Sequence, residues 1–256
     1  MDKQSRNQRN QRVHSGLRST PNTLVALAIL VIPLFASERS TVKMDVYDLS
    51  SDNLMYTAVR TLDQQENNIM QVTIYYSLDG IKIQEDSVAY DPATLTLTYS
   101  RSEDLRSGKV EQMELVDGDV EVLFLEKRGA QPEKALVPWT EATTFNAALI
   151  PLIRRNWQLL QGREELGIEL LLPNHQEALA MRLKKDKEII INGRSATVIS
   201  LGPRIWFFRK IIGPISYIIT NDHSHQLLEF RGLTSQLADD SGKVGKLRIV
   251  YNYAAK

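Results

Sequence analysis

From residue 41 onward, apolar and polar positions alternate with period two, the spacing that puts successive side chains on opposite faces of a strand. Val42, Met44 and Val46 alternate with Lys43, Asp45 and Tyr47, and residues 54–62 form a second candidate strand before a polar turn at 63–68. Met70, Val72, Ile74, Tyr76 and Leu78 then share one face, with Gln71, Thr73, Tyr75 and Ser77 on the other. Asp79-Gly80 suits a two-residue turn in which both central residues take positive φ, so residues 81–90 are expected to pair back. Their alternation slips at 85–87, which predicts a bulge there. Asp91-Pro92, Ser107-Gly108 and Asp117-Gly118 separate three further runs, 94–100, 110–116 and 119–125, and the succession describes an up-and-down meander. Residues 129–139, with Pro132 and Pro138, read as a loop.

One stretch breaks the alternation. In residues 145–162 the apolar side chains Phe145, Leu149, Leu152, Ile153, Trp157 and Leu160 recur at three- and four-residue spacing, which places them on one face of a helix. That face needs a sheet to cover it. Pro151 lacks an N–H and its ring would clash with the Ala147 carbonyl in an unbroken helix, so a bent helix or two short ones are expected, the second opening at Pro151. Thr143 or Thr144 is placed to cap the first turn, and Gly162 to take a left-handed C-terminal position.

Strands resume at 166–172, 178–183 and 188–191, turn at Asn192-Gly193 and return over 194–201. Residues 204–214 read as a short helix or an aromatic loop, 215–220 and 226–230 as a hairpin about Asn221-Asp222, and 246–253 as the last strand. The fold class is mainly β: one large antiparallel curled sheet or open barrel, about 10–11 strands with local pairing, wrapped around a central helix near 144–162.

The first residues do not belong to that pattern. A start carrying Lys3, Arg6, Arg9, Arg12 and Arg18 precedes the apolar run 24–35, which Ala36 or Ser37 ends. A run this short falls below the roughly 20 residues that span a bilayer and matches a secretory signal core. Leu34 and Phe35, three before the two cleavage points, are bulkier than the small residue preferred there, and an uncleaved N-terminal anchor is the alternative. The expected organisation is a signal peptide or anchor over 1–37 and a single antiparallel β domain over 38–256, a length sufficient for one sizeable core.

Charge and cysteine content narrow the class. The 31 basic and 31 acidic residues balance, but the first 36 residues hold five Lys/Arg against one Asp, so the remainder carries 26 against 30. A mildly acidic domain has no electrostatic footprint for nucleic acid. Cysteine is absent, which removes disulfides, thiolate metal ligands, cysteine nucleophiles and a lipoprotein anchor together. An exported chain of this size without disulfides fits a bacterial envelope, and the expected compartment is the periplasm.

Candidate chemistry is sparse. His223 and His225, beside Asp222, would share a strand face and could make part of a metal site, but no third histidine is near in sequence, and the expected reading is a polar hairpin turn. There is no Gly-x-Ser-x-Gly elbow and no phosphate-cradling glycine loop. The acidic pairs Glu103-Asp104 and Asp239-Asp240 fall in solvated loops. The sequence implies no catalytic set, no metal and no cofactor; an enzyme, a hydrolase, would need polar residues to converge from distant strands. The most suggestive segment is 205–219, where Trp206, Phe207, Phe208 and Tyr217 cluster about Arg209 and Lys210. Ordinary core packing is one account. A lip that meets acyl chains with its aromatics and anionic headgroups or a membrane surface with its cations is the other, and Trp157 would line the same interior.

Several features together, Asp91-Pro-Ala-Thr-Leu95 before a hairpin, Asn156-Trp157 with Leu160 and Gly162, Asn192-Gly193, and Leu227-Leu-Glu-Phe-Arg-Gly232, resemble a broad set of bacterial envelope proteins of unknown function. The layout of a curled sheet about a helical plug is also similar to that of periplasmic lipoprotein carriers. Those carriers begin with a helix after the signal, whereas this chain begins with strands, so none of their binding residues maps onto it. The expected function is binding or carriage of a lipid-like ligand between sheet and helix, with Trp157, Trp206, Phe207, Phe208, Arg209, Lys210 and Tyr217 as contacts. The alternative is an envelope protein-interaction module with a filled interior.

Overall fold

The computed structural model describes residues 38–65, 67–205, 215–238 and 244–253. Residues 1–37, expected as a signal peptide or anchor, and the segment holding Trp206, Phe207, Phe208, Arg209 and Lys210 lie outside those residues.

The alternating runs form fifteen strands among the described residues: β1 (Glu38–Asp48), β2 (Leu54–Gln65), β3 (Asn68–Tyr76), β4 (Lys82–Tyr90), β5 (Leu97–Asp104), β6 (Val110–Val116), β7 (Asp119–Leu125), β8 (Glu133–Pro138), β9 (Thr143–Thr144), β10 (Leu166–Leu172), β11 (Glu177–Ile191), β12 (Arg194–Pro203), β13 (Ile215–Thr220), β14 (Leu227–Ala238) and β15 (Val244–Asn252). The number exceeds the 10–11 expected, and three local differences separate the observed strands from the expected ones. Residues 129–139 contain an edge strand, β8, where Pro138 is tolerated because an edge leaves backbone positions unpaired. Thr143 and Thr144, expected to cap the helix, instead pair with β10 in the parallel sense. Residues 178–191, expected as two strands, are one long strand whose register shifts between Lys185 and Lys187.

All fifteen join one sheet in the order β8-β7-β6-β5-β4-β3-β2-β1-β15-β14-β13-β12-β11-β10-β9. Strands that follow one another in sequence are paired in the sheet except β8 and β9, and one pairing joins strands far apart in sequence, β1 with β15, which zips the first and last strands together in the middle. Pairing is therefore not local throughout. The sheet is not closed: β8 and β9 are its edges, although only residues 139–142 separate them in the chain. It does curl, for β14 comes against β5 on its far half.

Turn chemistry follows the residues closely. Asp117-Gly118 and Asn192-Gly193 take positive φ at both positions, the geometry that matches strand twist in a two-residue hairpin. At Asp79-Gly80 only the glycine does; the loop has three residues, closed by the Ser77 N–H donating to the Ile81 carbonyl. That places the strand irregularity at Tyr75/Tyr76 opposite Gln84 and Lys82, not at 85–87. The sequence slip at 85–87 has another cause: β4 keeps its alternation there and turns Asp86 inward. β3 is inverted in the same sense. Thr73 and Tyr75 are buried, while Met70 is 37% and Leu78 62% exposed, so the more polar face of this strand lies inside.

The helix exists but is short and broken. A 3-10 turn (Asn146–Ala148) leads into α1 (Leu149–Arg155), followed by α2 (Trp157–Gln161). Pro151 sits in the first turn of α1, where its missing N–H has no partner to lose. The break falls at Asn156, whose side-chain amide donates to the Leu152 carbonyl over 2.9 Å. Arg163, not Gly162, takes the left-handed position after α2. Leu149, Ile153, Trp157 and Leu160 bury against Met44, Val46, Met181, Leu183, Ile199 and Ile249 of β1, β11, β12 and β15. Phe145 and Ala148 instead join Ile69, Val88, Tyr90, Leu97 and Met113 of β3 to β6. The helical segment thus packs on both halves of the sheet; each fully buried aliphatic side chain contributes about 1.5–3 kcal/mol.

Candidate functional site

Strand register builds the site. Arg60 of β2 stands opposite Thr73 of β3, Thr73 opposite Asp86 of β4, Asp86 opposite Ser102 of β5, and Ser102 opposite Glu111 of β6. Directly opposed residues project on the same face, so five polar side chains form one line across five strands, on the inward face. Two neighbouring pairs in the line are hydrogen-bonded, and other side chains engage its remaining members. Arg60 Nε donates to Thr73 Oγ1 over 3.2 Å. Asp86 Oδ1 accepts from Ser102 Oγ at 2.6 Å and from Gln84 Nε2 at 2.8 Å. Glu111 pairs with Lys109 Nζ at 2.6 Å. Gln84 Oε1 is buried and has no hydrogen-bond partner among the described residues.

This row forms one wall of an interior cavity of about 650 Å³. The other walls are largely apolar: Leu149 and Ile150 from α1, and Met181, Leu201, Ile215, Phe230 and Ile249 from β11 to β15. Tyr75, Tyr217, Tyr251 and Tyr253 bring phenols to the same space, the last donating to the Leu227 carbonyl over 3.0 Å. The Arg60 guanidinium lies 5.4 Å from the centre of the Tyr251 ring. The space is amphipathic: Arg60, Asp86, Arg101 and Glu111 stand on the wall of β2 to β6, and Arg154 of α1 and Glu177 of β11 add charge elsewhere on the lining.

Burial governs the titration of these groups. It pushes the Asp86 carboxyl up to about 6, against the hydrogen bonds from Ser102 and Gln84, which favour the anion. It raises the phenols of Tyr75 and Tyr217, keeping them neutral donors. For Arg60 burial acts downward, and Tyr251, Tyr75, Tyr253 and Asp86 together outweigh it, so its value lies above the ordinary one. The guanidinium is a cation inside the protein.

Of the residues singled out from sequence, Tyr217 lines the cavity. Trp157 is buried in the core beside it, its ring stacked on His225 with centroids 4.3 Å apart. Trp206, Phe207, Phe208, Arg209 and Lys210 fall outside the described residues. His223 and His225 do not share a strand face, since both lie in the turn between β13 and β14 and His225 takes positive φ. Among the described residues no group of three His, Asp or Glu is placed to hold a metal ion. Sequence reading passed over Arg60 and Asp86. The signal was present in each case: a charged residue at the inward position of an otherwise apolar alternation, Tyr56, Ala58, Arg60, Leu62 in β2 and Gln84, Asp86, Val88, Tyr90 in β4.

No family model matches the chain, and no curated protein matches it. Among solved structures it is similar to a β-barrel-like protein of a domain of unknown function, DUF1849, from Brucella abortus, with 9% sequence identity and a TM-score of 0.44. The match covers 85% of this chain and 96% of that one.

Proposed function

We propose that this chain is an exported protein of the bacterial envelope that binds or carries a hydrophobic, lipid-like ligand in the cavity between its sheet and its helical segment. The observation that carries the reading is the cavity itself. A volume of about 650 Å³ falls in the usual range of small-ligand sites, roughly 300–1,000 Å³, and its mix of apolar walls with a few convergent polar groups is typical of them. A curled sheet too large for its short plug leaves such a space, and aliphatic side chains across it favour an acyl chain over water. Among the described residues no helix is long and apolar enough to cross a membrane. The leader over 1–37 supplies the route of export.

The test is to produce the protein in a bacterial periplasm, purify it without detergent, and record native mass spectra together with the lipid content of its organic extract. Near-stoichiometric lipid is the expected result. A clean unliganded mass, with no uptake of offered fatty acids or phospholipids, would sink the reading and favour a protein partner instead.

A further inference from the structure

Arg60 is held in the interior at a cost. Among the described residues its contacts are the single hydrogen bond to Thr73 Oγ1 and the face of Tyr251, and it belongs to none of their ion pairs. Asp86, the carboxylate across Thr73, is already engaged by Ser102 and Gln84. A guanidinium has five N–H donors, and one of them is used. Arg60 is half-buried, and a charge taken partly out of water without a partner is destabilising unless something completes it. Arg60 lines the cavity. Beside it stand phenols that donate hydrogen bonds without adding charge, and opposite it lie the aliphatic side chains of β11 to β15.

We propose that the cavity takes a single-chain amphiphile with a monoanionic carboxylate head, a long-chain fatty acid, and that Arg60 receives the carboxylate on its terminal nitrogens while the tail runs across to Met181, Leu201, Ile215 and Phe230. This rests on the ligand-binding reading above and names its ligand class. Arg101 and Arg154 also line the cavity, but Arg101 is paired with Glu103 and Arg154 donates to the His225 carbonyl, so Arg60 is the cation that matches one negative charge; a dianionic phosphate head would leave a charge unbalanced beside Asp86. A planar guanidinium fork suits a carboxylate bidentately. The volume accommodates one chain with its head, and a diacyl lipid would need a second.

The experiment is titration calorimetry on the full, delipidated protein with palmitate, hexadecanol and hexadecyl phosphate, repeated on Arg60→Met and Arg60→Lys, with circular dichroism confirming that each variant is folded. Palmitate is expected to bind wild type at least about tenfold more tightly than hexadecanol or hexadecyl phosphate. Arg60→Met is expected to lose that advantage while keeping hexadecanol binding, and Arg60→Lys to retain part of it. A second readout is the carboxyl resonance of carbon-13-labelled palmitate, which should remain that of the ionised form to lower pH in wild type than in Arg60→Met. Equal affinity for acid and alcohol in wild type, or unchanged palmitate affinity in Arg60→Met, would overturn the head-group assignment and leave the cavity reading standing. Tighter binding of hexadecyl phosphate would overturn the carboxylate. Failure of all three ligands to bind wild type would overturn the cavity reading as well.

Discussion

Asp86 lies directly across the β4–β5 pair from Ser102, whose hydroxyl donates to Asp86 Oδ1 over 2.6 Å. That bond favours the carboxylate, yet burial outweighs it and carries the group from its ordinary 3.8 up to about 6. The folded state therefore binds the proton more tightly than the unfolded chain. The stability contributed by this group is full below its ordinary value and is lost as pH rises through about 6. Asp86→Asn keeps an accepting oxygen for Ser102 and Gln84 and removes the charge. It is expected to raise stability at about pH 8 by ~1–3 kcal/mol and to flatten the decline between about pH 4 and 7. Urea unfolding across that range checks it; parallel profiles for wild type and variant would refute the assignment.

Arg60 allows a related test that needs no ligand. Because its charge has no ion pair among the described residues, Arg60→Met is expected to stabilise the delipidated protein by about 1 kcal/mol or more. Thermal unfolding of the two forms measures this directly. A clear loss of stability would mean that Thr73 and Tyr251 satisfy the guanidinium well enough by themselves.

Trp157 joins the helical segment to the turn between β13 and β14. Its ring stacks on His225 at an interplanar angle of 30°, and Arg154 Nε donates to the His225 carbonyl over 2.9 Å. Trp157→Ala opens a cavity in the larger core and is expected to cost about 3–5 kcal/mol. Trp157→Phe retains a ring over the imidazole and should cost about half of that or less. Chemical denaturation separates the two, and equal losses would show that the stacked ring is not what holds the helix there.

Gly232 of β14 faces Ile215 of β13. A Cβ at this position would stand 2.9 Å from Ile215 Cγ1 and 3.1 Å from its Cα, and the backbone φ is +155°. Since the backbone contact cannot be relieved by a rotamer change, Gly232→Ala is expected to cost about 1–3 kcal/mol. Gly118, at φ +92° in open space, provides the comparison; its Ala variant should lose about 1 kcal/mol from conformation alone. The reverse order of losses would contradict the packing described between β13 and β14.

Much of the strand pattern was legible because its causes are local. Period-two alternation and turn residues such as Asp117-Gly118 and Asn192-Gly193 act over a few residues, and the structure has strands and hairpins at those places. The helix over 145–162 was legible too, through the spacing of Leu149, Ile153, Trp157 and Leu160. Its break was misplaced because Pro151 is an obvious breaker, whereas Asn156 interrupts the helix only through a side-chain bond back to Leu152. β8 was missed because Pro132 and Pro138 signal a loop, and the exception holds only for a strand that turns out to be an edge.

Hardly any of the polar wall was legible. Arg60, Thr73, Asp86, Ser102 and Glu111 come from five strands spread over some fifty residues, and single-sequence alternation says which residues share a face without saying which face is inside. In β3 the apolar set Met70, Val72, Ile74 and Tyr76 invites burial, yet Ile69, Thr73 and Tyr75 are the buried members. By itself the sequence determined that this is a protein of strands, hairpin turns and one interrupted helix, since steric preference and hydrophobic period are properties of short segments. Only the tertiary structure decided that β1 closes on β15, that the sheet curls without closing, and that Arg60 and Asp86 line one cavity inside it. The reason is register. A shift of one residue exchanges the two faces of a strand, and register is set by pairing with neighbours and by the curvature of the whole sheet.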